Sequence, residues 1–79
     1  MNKKPVTITY CVPCGYIKRA NIAAEMLKEK LDIDATLVPG SGGIFKVQVG
    51  EEVVAQRTRE HFPDAEEVVL SVAKTLSMR

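Results

Sequence analysis

Seven residues, Tyr10-Cys11-Val12-Pro13-Cys14-Gly15-Tyr16, separate two different periodicities and hold both cysteines of the chain. Before them, Val6-Thr7-Ile8-Thr9-Tyr10 is β-branched and ends in an aromatic ring, which is the composition of a strand. After them the spacing is helical from Gly15 to about Leu31. Ile17, Ala20, Ala24, Leu27 and Leu31 form an apolar stripe, and Lys18, Arg19, Glu25, Lys28 and Glu29 face water. A strand that gives way to a helix so abruptly, with a further strand to follow, constrains the chain to a right-handed βαβ unit with parallel strands.

The handover segment also carries the chemistry. Two cysteines two residues apart can form a reversible disulfide, supply half of a metal site, or sit as inert small hydrophobes. A helix start presents unsatisfied N–H groups and the positive end of a dipole, and both favour thiolate over thiol. Pro13 suits the first helical turn, because its φ is fixed and it lacks an N–H. On this reading Cys11 lies at the exposed cap and Cys14 is shielded within the first turn. Zinc is the main rival, and structural zinc wants four ligands, whereas the chain offers Cys11, Cys14 and its one histidine, His61. No carboxylate sits on the first strand, so no general base is assigned.

The remaining pattern completes the fold. Pro5 opens the first strand after a polar tail, Met1 to Lys4. Ile33 to Val38 alternates as a half-exposed second strand, Ile44 to Val49 as a third, and Val53 to Gln56 makes a hairpin with it across Gly50-Glu51. Arg57 to Phe62 reads as a polar loop. Asp64 to Leu76 is a second amphipathic helix on Ala65, Val68, Val69, Val72, Ala73 and Leu76, with Pro63 and Asp64 as its start signal.

With the first strand central, the link Pro39 to Gly43 must pass over one strand, roughly 10 Å. Five residues reach roughly 17 Å, so the link suffices. It then crosses at the end of strand one where Cys11 begins, the end at which parallel α/β units bind ligands. The loop Arg57-Thr58-Arg59-Glu60-His61 reaches the same rim.

Seventy-nine residues make one domain, residues 1–79, which buries only roughly 60% of its unfolded surface. With 46% apolar and 27% charged residues, disorder is not expected. A net charge of +1, without basic clusters interleaved with aromatics, argues against a nucleic-acid partner. No stretch approaches the ~20 apolar residues of a membrane span, so no membrane partner and a cytoplasmic location are expected. In a reducing compartment a Cys-x-x-Cys is more often catalytic or metal-binding than structural.

The segment Tyr-Cys-x-x-Cys-Gly-Tyr after a short N-terminal strand resembles the redox loop of the selenoprotein W, T and H family. Val38-Pro39-Gly40-Ser41-Gly42-Gly43-Ile44-Phe45-Lys46-Val47 and Phe62-Pro63-Asp64 resemble its bacterial, cysteine-containing members. The resemblance implies a thioredoxin-like fold, β-α-β-β-β-α, with a four-stranded mixed sheet and two helices. It also implies thiol–disulfide exchange through Cys11 and Cys14, with no organic cofactor and with glutathione or a thioredoxin system as reductant. Protein disulfides or oxidised thiols would be the substrates.

Selenoprotein members carry selenocysteine at the position of Cys14. Because sulfur stands there in this chain, the helix-end argument takes precedence, and Cys11 is expected to attack while Cys14 resolves. Pro13, Tyr16, Gly42, Gly43, Arg57, Arg59 and His61 are the expected partner rim. The glycines would let a peptide or glutathione lie against the disulfide, and the basic side chains would attract carboxylates. A non-catalytic redox-sensing interaction module, or a metal-binding module, is the alternative.

Overall fold

The computed structural model describes residues 5–77, and the polar tail expected over Met1 to Lys4 lies outside the described residues. Strand β1 (Val6–Cys11) leads through a turn into helix α1 (Ile17–Leu31). Strands β2 (Thr36–Gly40), β3 (Phe45–Val49) and β4 (Glu52–Gln56) follow, and helix α2 (Ala65–Ser77) ends the order. The sheet order is β2-β1-β3-β4. β1 pairs parallel with β2 and antiparallel with β3, and β3 pairs antiparallel with β4, so the sheet is mixed and β1 is central.

Alternation explains which face is covered. Val6, Ile8 and Tyr10 of β1 and Phe45, Val47 and Val49 of β3 are buried, while Thr7, Thr9, Lys46 and Gln48 between them are only half-buried. The buried set forms one cluster with Ala20, Ala23 and Leu27 of α1 and with Val68, Val69 and Val72 of α2. Both helices therefore lie on the same side of the sheet and also contact each other. Alanines at 20 and 23 let α1 approach the sheet closely. Each fully buried Leu, Ile or Val contributes about 1.5–3 kcal/mol.

Two element starts differ from the sequence pattern by more than one residue, each for a local reason. α1 begins at Ile17 rather than Gly15, because Gly15 adopts φ 75° and turns the chain before the first helical residue. Ile17, expected in the core stripe, is 44% exposed, and Ala23 takes the inward position in place of the half-buried Ala24. β2 begins at Thr36 rather than Ile33.

Ile33 is buried, yet it belongs to the helix end. Asp32 adopts the left-handed conformation, and the Ile33 N–H reaches back to the carbonyl of Leu27 at 3.3 Å. Beside this stop Lys28 lies 3.2 Å from Asp34 and 3.7 Å from Asp32. The hydrogen bond to Asp34, then the charges of Asp34 and Asp32, hold its ammonium above the ordinary value. All three groups are exposed, so the pairs add little stability.

Among the described residues no helix is long and apolar enough to cross a membrane.

Burial predicts how two leucines differ. Leu27 is fully buried, and Leu27→Ala should cost about 2–5 kcal/mol and lower the melting temperature by roughly 10 °C or more. Leu70 is 69% exposed, and Leu70→Ala should stay within about 0.5 kcal/mol of the parent. Thermal denaturation of the two variants checks both outcomes.

Candidate active site

Cys11 is the last residue of β1 and pairs in the ladder with Gly40 of β2. It is fully buried. The next amide, of Val12, donates to the Gly40 carbonyl at 3.1 Å, which continues the pairing one step beyond the strand. Neighbouring side chains crowd this position, since a Cβ on Gly40 would lie 3.0 Å from the Ile44 side chain and 3.3 Å from that of Thr9.

The chain then turns over Val12-Pro13-Cys14-Gly15, closed by the Gly15 N–H donating to the Val12 carbonyl at 3.0 Å. Pro13 occupies the second turn position, which its fixed φ suits, and Gly15 supplies the positive φ at the exit. Tyr16 caps α1, and its N–H returns to the carbonyl of Cys11 at 3.3 Å.

Cys11 and Cys14 are joined by a disulfide with their Cα atoms 5.4 Å apart, inside the ordinary range. The two sulfurs sit in opposite environments. Cys11 is buried in the ladder, whereas Cys14 is exposed on the turn, so the expectation of an exposed Cys11 and a shielded Cys14 is reversed. The reason is the helix start: with α1 beginning at Ile17, Cys14 precedes the helix instead of forming its first turn, and stands two residues before the cap. No side chain caps α1, and its first turn holds no acidic residue. The positive end of the helix is therefore left uncompensated closer in sequence to Cys14 than to Cys11.

Two further segments reach this end of the sheet. The β2–β3 turn holds Gly42 and Gly43 at φ 75° and 78°, and β4 ends beside it. Arg57, just beyond β4, donates its own N–H to the Phe45 carbonyl at 2.8 Å and Nη1 to the Gly43 carbonyl at 3.3 Å. Its guanidinium also lies over the Tyr16 ring at 6.0 Å. Tyr16, Gly43 and Arg57 are thus brought together directly.

Arg59 and His61 are exposed and line an open cleft of about 410 Å³ with Tyr16, Arg19, Arg57 and Phe62. His61 is turned to α2, where Nε2 lies 2.6 Å from Oε1 of Glu67. Gly42 has open space on all sides of its missing side chain. Among the described residues no three His, Cys, Asp or Glu side chains gather into a metal-binding group.

Phe62 is the residue that sequence reasoning left out of the site. Its ring meets Tyr16 edge-on and Phe45 at a tilt, both at 5.0 Å between centroids, and Arg19 stacks over it at 4.3 Å. Phe62 joins the residue after the Cys-x-x-Cys turn to the core and to the loop that precedes α2. Asp64 anchors the far side of that loop by accepting the Glu67 N–H at 2.9 Å, an N-cap contact. One signal was available, since Phe62 is one of only four aromatic residues in the chain and stands immediately before the Pro63-Asp64 helix start.

The turn geometry makes Gly15 sensitive to substitution for a backbone reason alone. A Cβ there would meet nothing within 4 Å, but φ is +75°. Gly15→Ala should therefore cost about 1–2 kcal/mol, and Gly15→Asn less, because asparagine tolerates the left-handed region. Denaturant unfolding of both variants measures the difference.

Known proteins resemble this chain in sequence and in fold. The Rdx family model matches residues 5–74. A crystal structure of a selenoprotein W-related protein from Vibrio cholerae is similar with a TM-score of 0.84 and 25% identity, covering 95% of this chain and 99% of that one. A Bordetella parapertussis protein of known structure is similar with a TM-score of 0.75 and 27% identity, covering 94% of this chain and 99% of that one. None of the curated proteins is close enough to match. With the β-α-β-β-β-α order, the mixed four-stranded sheet and a Cys-x-x-Cys pair bridged where strand meets helix, the chain belongs to the Rdx family.

Proposed function

We propose that the protein is a thiol–disulfide oxidoreductase in which Cys14 attacks and Cys11 resolves. The observation that carries this reading is the asymmetry of the pair: one cysteine exposed on a turn, the other buried at the end of a central strand. Thiolate nucleophiles need access, and the attacking sulfur in exchange is the one a partner can reach in line.

In the reduced protein the Cys14 thiolate attacks one sulfur of a partner disulfide. A Cys14–partner bond forms, the partner's sulfur–sulfur bond breaks, and the partner's second sulfur leaves as thiolate. Cys11, once deprotonated, then attacks the Cys14 sulfur, and the partner's first sulfur leaves as thiolate. The partner has gained two electrons and the protein is left with its Cys11–Cys14 disulfide. Two equivalents of glutathione, or one dithiol of a thioredoxin system, return the pair to the reduced form by the same exchange in reverse.

The role given to Cys11 by the helix-end argument passes here to Cys14. That argument required α1 to begin at the cysteine pair, and α1 begins three residues later. Holding Cys11 in the ladder suits a resolver, because its position is set by pairing to Gly40 whatever is bound to Cys14.

The test is the pair of single variants. Cys11→Ser should be alkylated quickly near neutral pH and accumulate a mixed disulfide with glutathione at Cys14. Cys14→Ser, left with the buried sulfur, should react at least about tenfold more slowly. Trapped thiols read by mass spectrometry distinguish the two. Faster reaction of the Cys14→Ser protein would return the attacking role to Cys11, and inertness of both would remove thiol exchange as the function.

A further inference from the structure

Around Cys14 the surface has two characters. On the turn itself Val12 is 52% exposed, Pro13 is exposed, and Ile17, one helical position past the cap, is 44% exposed. Isolated exposed apolar residues are ordinary. All three lie within three residues of Cys14 in the chain, and Val12 and Ile17 stand outside the buried core cluster.

Beyond Tyr16 the character changes to charge. The cleft of about 410 Å³ behind that ring collects Arg19, Arg57 and Arg59 against one carboxylate, Glu60. His61 also lines it but is bonded to Glu67. The whole chain carries a formal charge of only +1, so this concentration is local.

The arginines keep binding capacity. Arg57 donates from Nη1 to the Gly43 carbonyl, and a guanidinium has five N–H donors. Arg19 holds its guanidinium carbon 4.3 Å from the centre of the Phe62 ring, a contact with an aromatic face that provides no hydrogen-bond acceptor oxygen.

We infer that this face docks a protein segment in which the reacting cysteine is flanked by an apolar residue on one side and acidic residues on the other. The inference rests on the thiol–disulfide reading of the same site and names the substrate class for it. Glutathione matches only half of the surface. Its carboxylates suit the arginines, but a Glu-Cys-Gly tripeptide has no apolar side chain to cover Val12 and Ile17. A protein segment supplies both, and the cysteine between them is presented to Cys14. Charge accelerates encounter with an acidic segment, while the apolar contact adds to the lifetime of the docked complex.

The test uses reduced full-length protein and three decapeptides, each carrying its single cysteine as a disulfide with the same chromogenic thiol. One peptide has Leu before the cysteine and Asp-Glu-Asp after it, the second replaces the acids by Asn-Gln-Asn, and the third replaces Leu by Ser. Release of the chromophore gives the rates. The Leu–acid peptide should react about tenfold faster than the Leu–amide peptide at low salt, and the ratio should fall towards one in 1 M NaCl. It should also react several-fold faster than the Ser–acid peptide.

In Arg59→Ala combined with Arg19→Ala the acid-to-amide ratio should collapse, and in Ile17→Ser the Leu-to-Ser ratio should shrink. Ratios within one variant cancel any change in the thiol itself. Equal rates for all three peptides, or a faster amide peptide, would overturn the docking inference while leaving the exchange chemistry in place. Failure of every peptide and of a small neutral disulfide to react at Cys14 would remove the proposed function, and this inference with it.

Discussion

Strand β1 is hydrogen-bonded on both sides, to β2 in parallel and to β3 in antiparallel register, and the placement of the cysteines depends on this. A central strand, paired on both sides and covered by a helix on one face, is the least mobile part of a small fold. Because Cys11 is its last residue, half of the disulfide belongs to the rigid frame. The other half sits beyond the frame, on a four-residue turn whose shape is set by Pro13 and by the positive φ of Gly15. The division between a fixed and an accessible sulfur follows from where the ladder stops.

The aromatic contacts explain how distant segments stay assembled around that turn. Phe62 touches Phe45 in the core and Tyr16 just past the cysteines, while Arg57 joins Tyr16 to the glycine turn. Four stretches of chain, from β1–α1, β2–β3, the end of β4 and the approach to α2, are thereby linked through one ring and one guanidinium. Each of these contacts joins stretches far apart in the chain, which is why helix and strand periodicity does not show them.

The fold was legible because its signals are local. β-branched alternation in Val6–Tyr10 and Ile44–Val49, and the 3.6-residue spacing of Val68, Val69 and Val72, correspond to buried faces of single elements. Chain reach was compatible with β1 between β2 and β3. The exposure of the two cysteines was not legible in the same way. It hinges on whether Gly15 belongs to the helix, and glycine is compatible with either a first turn or a left-handed exit from a turn. Ile33 shows the same difficulty: an apolar residue at strand spacing is buried by the helix stop at Asp32 instead. Phe62 and the His61–Glu67 contact depend on tertiary proximity, which alternation does not encode.

The brevity of the turn between the cysteines bears on how oxidation is felt by the rest of the molecule. Closing a loop of about four residues restricts the unfolded chain by only about 2 kcal/mol in the chain-entropy model, near the low end of what disulfides contribute. The packed strands and helices, with Ile8, Leu27, Val47 and Val72 sealed from water, carry the fold independently of that bond. Gaining or losing two electrons therefore leaves the architecture standing and alters little besides the contour and chemistry of one surface knuckle. A partner that distinguishes the two states has to read that knuckle by touch, since no larger rearrangement announces the change.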